Sequence, residues 1–194
     1  CALGMACKES MVTAPVMVAL YERVFVFDSL KAASRARWRF YLGLAATWLV
    51  LAALMWSGPR IHSAGFSTDT DVWTYLLNQT VMITEYLRRT IWPRSLVANY
   101  GWPRPTTLNQ VLPYALWIVF LLAVTGTALV RRPALGFLGA WFFITLAPTS
   151  SIVPIGTEVG AERRMYLPLI ALVVLGVVAV AAIWDVVKRK CFPE

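Results

Sequence analysis

The sequence predicts an all-α, polytopic membrane helical bundle, on three observations. Of its 194 residues, 59% are hydrophobic and only 14% are charged, and the mean hydropathy is +0.64. Soluble domains average nearer half apolar and a quarter charged, and one core of this size could not hide such an excess of Leu, Val, Ala and Trp from water. Apolar runs of membrane-crossing length recur along the chain, and basic residues close two of them, after residues 130 and 187.

Five spans are expected. Residues 11–27 (MVTAPVMVALYERVFVF) form the first, bent by Pro15, with Glu22 and Arg23 near its end. Residues 40–57 (FYLGLAATWLVLAALMWS) form the second, whose uninterrupted run covers roughly 27 Å as helix, about one hydrocarbon thickness. Residues 111–130 are the third, closed by Arg131 and Arg132. Only Arg131, Arg132 and Pro133 separate it from the fourth, residues 134–147, so the two read as a tight helical hairpin. The fifth, residues 166–187, stops at Lys188, Arg189 and Lys190.

Alternation of these spans puts Arg23, the cations from Lys31 to Arg39, Arg131, Arg132 and the Lys188 to Lys190 cluster on one face. That face holds ten basic residues against eight on the other. Its cations hug the span ends, and most acids lie opposite, so it is assigned to the cytoplasm. The other face then owns residues 148–164 and the outer interfacial segment 58–110. Within that segment, residues 71–92 read as an amphipathic helix along the interface, its apolar side running through Trp73, Leu76, Leu77, Thr80, Ile83, Leu87 and Ile91. Asn78, Gln79, Glu85, Arg88 and Arg89 interrupt it too often for a span, and an extended proline-bearing stretch follows to Thr107.

The formal charge of +8 therefore speaks to membrane orientation and not to nucleic acid, for which no reading module is present. Cys1, Cys7 and Cys191 are an odd set without metal-ligand spacing, and no metal site is read from them. No signal segment precedes Cys1, and the expectation is a partial membrane domain, 1–194, of a longer protein. Soluble-enzyme motifs (GxSxG, the P-loop, the dinucleotide fingerprint, HExxH) are absent. His62 reads as an exposed loop residue, and Asn78-Gln79-Thr80 as a chance match to a glycosylation acceptor.

Two charged clusters at outer span ends carry candidate chemistry. Lys8 and Glu9 precede the first span; Glu162, Arg163 and Arg164 precede Tyr166 at the entry of the last. Such side chains can simply snorkel to water. They can also hold an anionic lipid head group, since guanidinium forks match phosphate oxygens and Lys8 adds a compact charge.

The stretches ACKESMVTAPVMVALYE, YLRRTIWPRSLVANYGWP and WFFITLAPTSSIVPIGTEVGAERRMYLPLIAL resemble, in order and approximate spacing, the membrane part of the family of transmembrane and tetratricopeptide-repeat proteins, related to O-mannosyltransferases of the GT-C glycosyltransferase fold. The AER run at Ala161 to Arg163 and the YLP run at Tyr166 to Pro168 are the most specific parts. Asn99 stands before Tyr100 where that family is expected to carry an acid.

The resemblance implies a membrane enzyme that transfers a sugar from a polyprenyl- or dolichyl-phosphate donor to an acceptor on the outer or luminal face. Its catalytic acid is expected upstream of this chain, in a first outer loop, so the isolated chain is expected to be inactive. Arg163, Arg164 and Lys8 would bind the donor phosphate, supported by Glu9, Glu162 and Tyr166. No cofactor is implied; the partners are membrane lipid, the lipid-linked sugar and an unspecified acceptor. The alternatives are a non-catalytic module that binds or transports a lipid-linked sugar, and a purely structural membrane anchor. The expected location is an integral protein of a bacterial inner membrane in preference to the endoplasmic reticulum.

Overall fold

A computed structural model describes residues 1–7, 9–57, 72–94, 97–101, 107–150 and 159–191. Among them every regular element is helical: α1 (Ala2–Cys7), η1 (Glu9–Thr13), α2 (Ala14–Phe25), α3 (Leu30–Ala36), α4 (Trp38–Ser57), α5 (Val72–Ile91), α6 (Leu108–Arg131), α7 (Pro133–Leu146), η2 (Ala147–Thr149), η3 (Glu162–Met165) and α8 (Tyr166–Cys191), the η elements being 3-10 turns.

Two helices, Leu108–Arg131 and Glu162–Lys190, are long and apolar enough to cross a membrane. A third crossing is added if Ser10–Phe25 and Leu30–Ala36, bent by 109°, count as one span, while Trp38–Leu54 and Pro133–Thr149 are shorter apolar helices. Helices therefore stand at all five positions expected to span, with two or three candidates for crossing. α6 and α8 leave most of their apolar side chains exposed, Leu116, Val119, Phe120, Val177, Val180 and Ile183 among them, which suits a hydrocarbon surround.

The first segment differs from its sequence reading. Pro15 lies in the opening turn of α2, where its missing N–H removes no helix bond, so it does not produce the bend. The chain turns instead after Phe25, into α3, whose start is capped by Ser29 Oγ accepting from Ala32 N at 3.1 Å. Glu22, buried near the end of α2, accepts from Arg37 Nη1 at 2.6 Å and from the Tyr41 hydroxyl at 2.5 Å. One carboxylate thus joins three consecutive helices.

The hairpin of α6 and α7 is closed as expected. Gly136 and Gly139 let the two helices approach: a Cβ at 136 would lie 2.2 Å from the Leu129 backbone nitrogen, and one at 139 would lie 2.5 Å from Thr125 Oγ1. The ring of Phe137, at the start of α7, contacts Tyr21 and Phe25 of α2 at 6.1 and 5.2 Å between centroids, which sets the Arg23 end beside Arg131 and Arg132. Further along, Trp141 Nε1 donates to Leu167 O of α8 at 2.9 Å. η1, η2, η3 and the loop Val159 to Ala161 consequently gather at the opposite end.

Candidate functional site

α5 is anchored to that end by a stripe of polar-tipped side chains. Tyr75, Gln79, Met82 and Tyr86 are buried and fall on one helix face by their 4-3-4 spacing. The Tyr75 hydroxyl donates to Thr149 O at 3.0 Å, and Gln79 Nε2 donates to Val159 O at 2.8 Å. Tyr86 Oη donates to Ala161 O at 3.2 Å and accepts from Ala161 N at 2.8 Å. Three turns of one helix thus satisfy the backbone of a loop that has no regular structure of its own.

The apolar stripe read from the sequence holds in its middle, where Leu77 is buried and Ile83 and Leu87 pack against the core, but not at its ends. Trp73 and Ile91 are 57% and 83% exposed, so the ends of that stripe point away from the bundle. The helix is amphipathic, but the face it buries is the one whose polar atoms match carbonyls. Asn78 is likewise buried and donates its side-chain amide to Thr74 O at 2.8 Å, a setting closed to glycosylation.

The loop itself is short and held on both sides. Val159 N donates to Gly101 O at 2.7 Å and Tyr100 N donates to Gly160 O at 3.0 Å, so residues 100–101 and 159–160 pair antiparallel. Gly101 has φ of +85°, and its N–H donates to Asn99 Oδ1 at 2.8 Å. A neutral side-chain carbonyl at 99 is thereby used to close this turn. Gly160 lies so close to α5 that a Cβ there would meet Met82 Cε at 2.5 Å and Tyr86 Oη at 2.8 Å.

The two arginines of the ERR run part company. Arg164 is buried, and its Nη1 donates to Thr149 O at 2.8 Å, with Val159 O at 3.3 Å and Tyr75 Oη at 3.4 Å. It fastens the end of α7 to the loop that enters α8. Arg163 is exposed, as is Tyr166 at the first position of α8, 77% accessible. Glu162 accepts from the Tyr100 hydroxyl and lies 3.8 Å from Arg89 Nη1.

Arg89 is the hub on the α5 side. Its Nε reaches Glu85 Oε1 at 2.7 Å, its Nη1 donates to Arg94 O at 3.1 Å, and its guanidinium covers the Tyr100 ring at 4.9 Å. Hydrogen bonds from Arg88 and Arg89 hold the Glu85 carboxyl below the ordinary carboxylate range, with the Arg88 bond the largest cause. Burial pushes the Tyr86 phenol up. Burial, then the bond to Glu162, pushes the Tyr100 phenol up as well.

Lys8 lies outside the described residues, as do His62, Asp69 and Asp71, and only the backbone of Glu9 is described, in η1. η1 packs against η2 and α7, which brings the start of the chain to the same end as Arg163. Sequence reasoning missed Tyr75, Gln79, Tyr86, Arg89 and Tyr100 as site builders. The 4-3-4 spacing of Tyr75, Gln79, Met82 and Tyr86 was the available signal.

No family model, curated protein or solved structure matches this chain.

Proposed function

We propose that this chain is a five-span, donor-binding part of a larger membrane glycosyltransferase of the GT-C kind, which transfers a sugar from a polyprenyl- or dolichyl-phosphate to an acceptor on the outer or luminal face. The observation that supports this reading is convergence. The three stretches that carry the family resemblance are far apart in sequence, yet η1 of the first, Tyr86 to Tyr100 of the second and Thr149 to Arg164 of the third meet at one end of the bundle. Ser10 Oγ, Gln79 Oε1 and Ser150 Oγ, buried at that end, make no hydrogen bond to any described residue, which leaves polar capacity for a hydroxyl-rich head.

In this reading the two arginines divide the work. Arg164 holds the Thr149 and Val159 carbonyls, and Arg163, exposed beside the apolar entry of α8, would bring its guanidinium to a lipid phosphate whose tail lies in the bilayer. The departing lipid phosphate carries negative charge, and a cation fixed in advance stabilises it without reorganisation. Glu162, held by Tyr100, and Tyr166 flank that position, and Lys8 adds charge from the start of the chain. The acid that activates the acceptor is assigned to upstream sequence.

The test is binding of a short-chain polyprenyl phosphate to the chain in lipid nanodiscs, read by native mass spectrometry against the corresponding polyprenol. Retention of the phosphate form alone is expected. Equal retention of both lipids would overturn the reading.

A further inference from the structure

A second charged feature lies at the other end of the bundle. After α2 the chain turns by 109° into α3 and then re-enters the apolar helix α4 at Trp38. α3 therefore runs nearly at right angles to the helix before it. A straight continuation would spread Lys31 to Arg39 over about 12 Å of depth at 1.5 Å per residue. The elbow gathers them near one level, the level at which the apolar run of α4 begins.

The elbow is built to hold its shape. Ala33 is fully buried, and Lys31 and Arg35 fall on the opposite side of α3 by helical spacing. The buried Glu22 carboxylate grips Arg37 and Tyr41, and Arg37 also covers the Phe27 ring at 5.7 Å. Arg37 is thus consumed in fixing the turn. Lys31, Arg35 and Arg39 are exposed and form no ion pair with any described residue. Around them stand exposed apolar side chains, Leu30, Trp38 and Phe40, and Arg39 lies over the Trp38 ring at 5.4 Å.

Cations beside an exposed tryptophan at the mouth of an apolar helix match the chemistry of a bilayer interface, where the phosphate and the acyl boundary are a few ångströms apart. We infer that residues 30–39 form a seat for anionic phospholipid head groups of the leaflet at this end, with Lys31, Arg35 and Arg39 as the phosphate contacts and Trp38 and Phe40 in the acyl boundary. The occupant is set by charge complementarity: three exposed cations, one nearby exposed acid, Asp28, and an apolar border that a soluble anion would leave in water. The inference does not depend on the glycosyltransferase reading.

The test uses the whole chain with Cys1, Cys7 and Cys191 replaced and a fluorophore placed at Ser34→Cys, in vesicles carrying head-group spin-labelled phosphatidylglycerol or phosphatidylcholine. A second fluorophore position, Leu122→Cys on the exposed side of α6, reports the general lipid annulus. Quenching at 34 by the anionic lipid is expected to exceed that by the zwitterionic lipid about twofold, with no preference at 122. The preference should vanish near ~1 M salt, where the screening length shrinks to about 3 Å. It should also vanish in Lys31→Gln/Arg35→Gln/Arg39→Gln and persist in Arg35→Lys/Arg39→Lys. Equal quenching by the two lipids at 34, or the same preference at 34 and 122, would overturn the inference. The salt arm decides the matter in the unmodified elbow even if the triple variant fails to fold.

Discussion

Tyr86 and Ala161 are joined by two hydrogen bonds through a single phenolic oxygen, which donates to the carbonyl at 3.2 Å and accepts from the amide at 2.8 Å. Ala161 is fully buried, so neither backbone group can turn to water when the hydroxyl is lost. Tyr86→Phe keeps the ring and strands the Ala161 N–H, while the carbonyl keeps the bond from Arg164 N at 3.0 Å. The expected cost is about 1–3 kcal/mol of stability, the penalty for a stranded buried polar group. Thermal unfolding in detergent should show the lower midpoint, and amide exchange should rise across Val72–Ile91; an unchanged midpoint would mean that the loop is held by other contacts.

Much of this architecture was legible in the sequence because hydrocarbon burial writes a simple code. The runs at 111–130 and 166–187 and the Arg131–Arg132–Pro133 break follow directly from apolar length and charge, and the helices found there overrun those bounds by a few residues at most. The end of the bundle around Val159 to Ala161 was less legible. Its residues are chosen to satisfy a loop's carbonyls, so Tyr75, Gln79 and Tyr86 look half polar on a helical wheel, while Trp73 and Ile91, which look like core, are exposed. The division between Arg163 and Arg164 was equally hidden, since two adjacent arginines carry no signal of which one the fold buries.

Gly160 tests how closely the loop is seated. In Gly160→Ala the new methyl meets Met82 Cε at 2.5 Å and Tyr86 Oη at 2.8 Å; the methionine end can swing away, but the phenol is tethered to Ala161. The expected loss is about 1–3 kcal/mol, typical of overpacking. Met82→Ala should recover part of it in the double variant, measured as a less-than-additive fall in unfolding midpoint. Full additivity would show that the loop simply shifts.

The two hairpin glycines should respond differently. At Gly136 the added carbon strikes the Leu129 backbone at 2.2 Å, whereas at Gly139 it strikes a side chain, Thr125 Oγ1, at 2.5 Å. Thr125→Ala is therefore expected to restore most of the stability lost in Gly139→Ala and none of that lost in Gly136→Ala. The comparison is read as resistance to proteolysis between α6 and α7.

The Glu22 junction predicts an order among variants. The Glu22 side chain is 6% exposed and that of Arg37 is 53% exposed, so removing the arginine strands a charge in the interior, while removing the charge leaves an arginine that reaches water. Arg37→Ala should destabilise more than Glu22→Gln. The double variant should be more stable than Arg37→Ala alone, and chemical denaturation of the reconstituted chain gives the ranking.

The α5 anchor should hold within a defined pH window. Tyr86 and Tyr100 have phenols raised above the ordinary 10.0, so the stability they lend is complete below pH 10 and is lost as pH climbs through their raised values. Glu85 is lowered from 4.5, so its share is present above pH 4.5 and is lost as pH falls through the lowered value. Proteolytic cleavage near Arg88 and Arg89 should be slow between these limits and faster on both sides. Tyr100→Phe should remove Tyr100's contribution to the alkaline loss and leave the acid limb in place.

Arg163 and Arg164 give opposite predictions for the same conservative exchange. Lysine keeps the charge and snorkels as well as arginine, but it offers a single compact donor group in place of a planar fork. At 164 the guanidinium nitrogen is shared among Thr149 O, Val159 O and Tyr75 Oη inside the protein. The lysine nitrogen ends one bond short of that position, so Arg164→Lys withdraws the donor from these acceptors and is expected to cost about 1.5–3 kcal/mol, the value of hydrogen bonds to a charged group, as a lower unfolding midpoint. At 163 the side chain is exposed, so Arg163→Lys should lower the midpoint less than Arg164→Lys does. Polyprenyl-phosphate retention is expected to fall roughly tenfold if a forked phosphate contact is lost there. Parent-like retention in a normally folded Arg163→Lys variant would leave Arg163 as an interfacial anchor and remove it from the donor site.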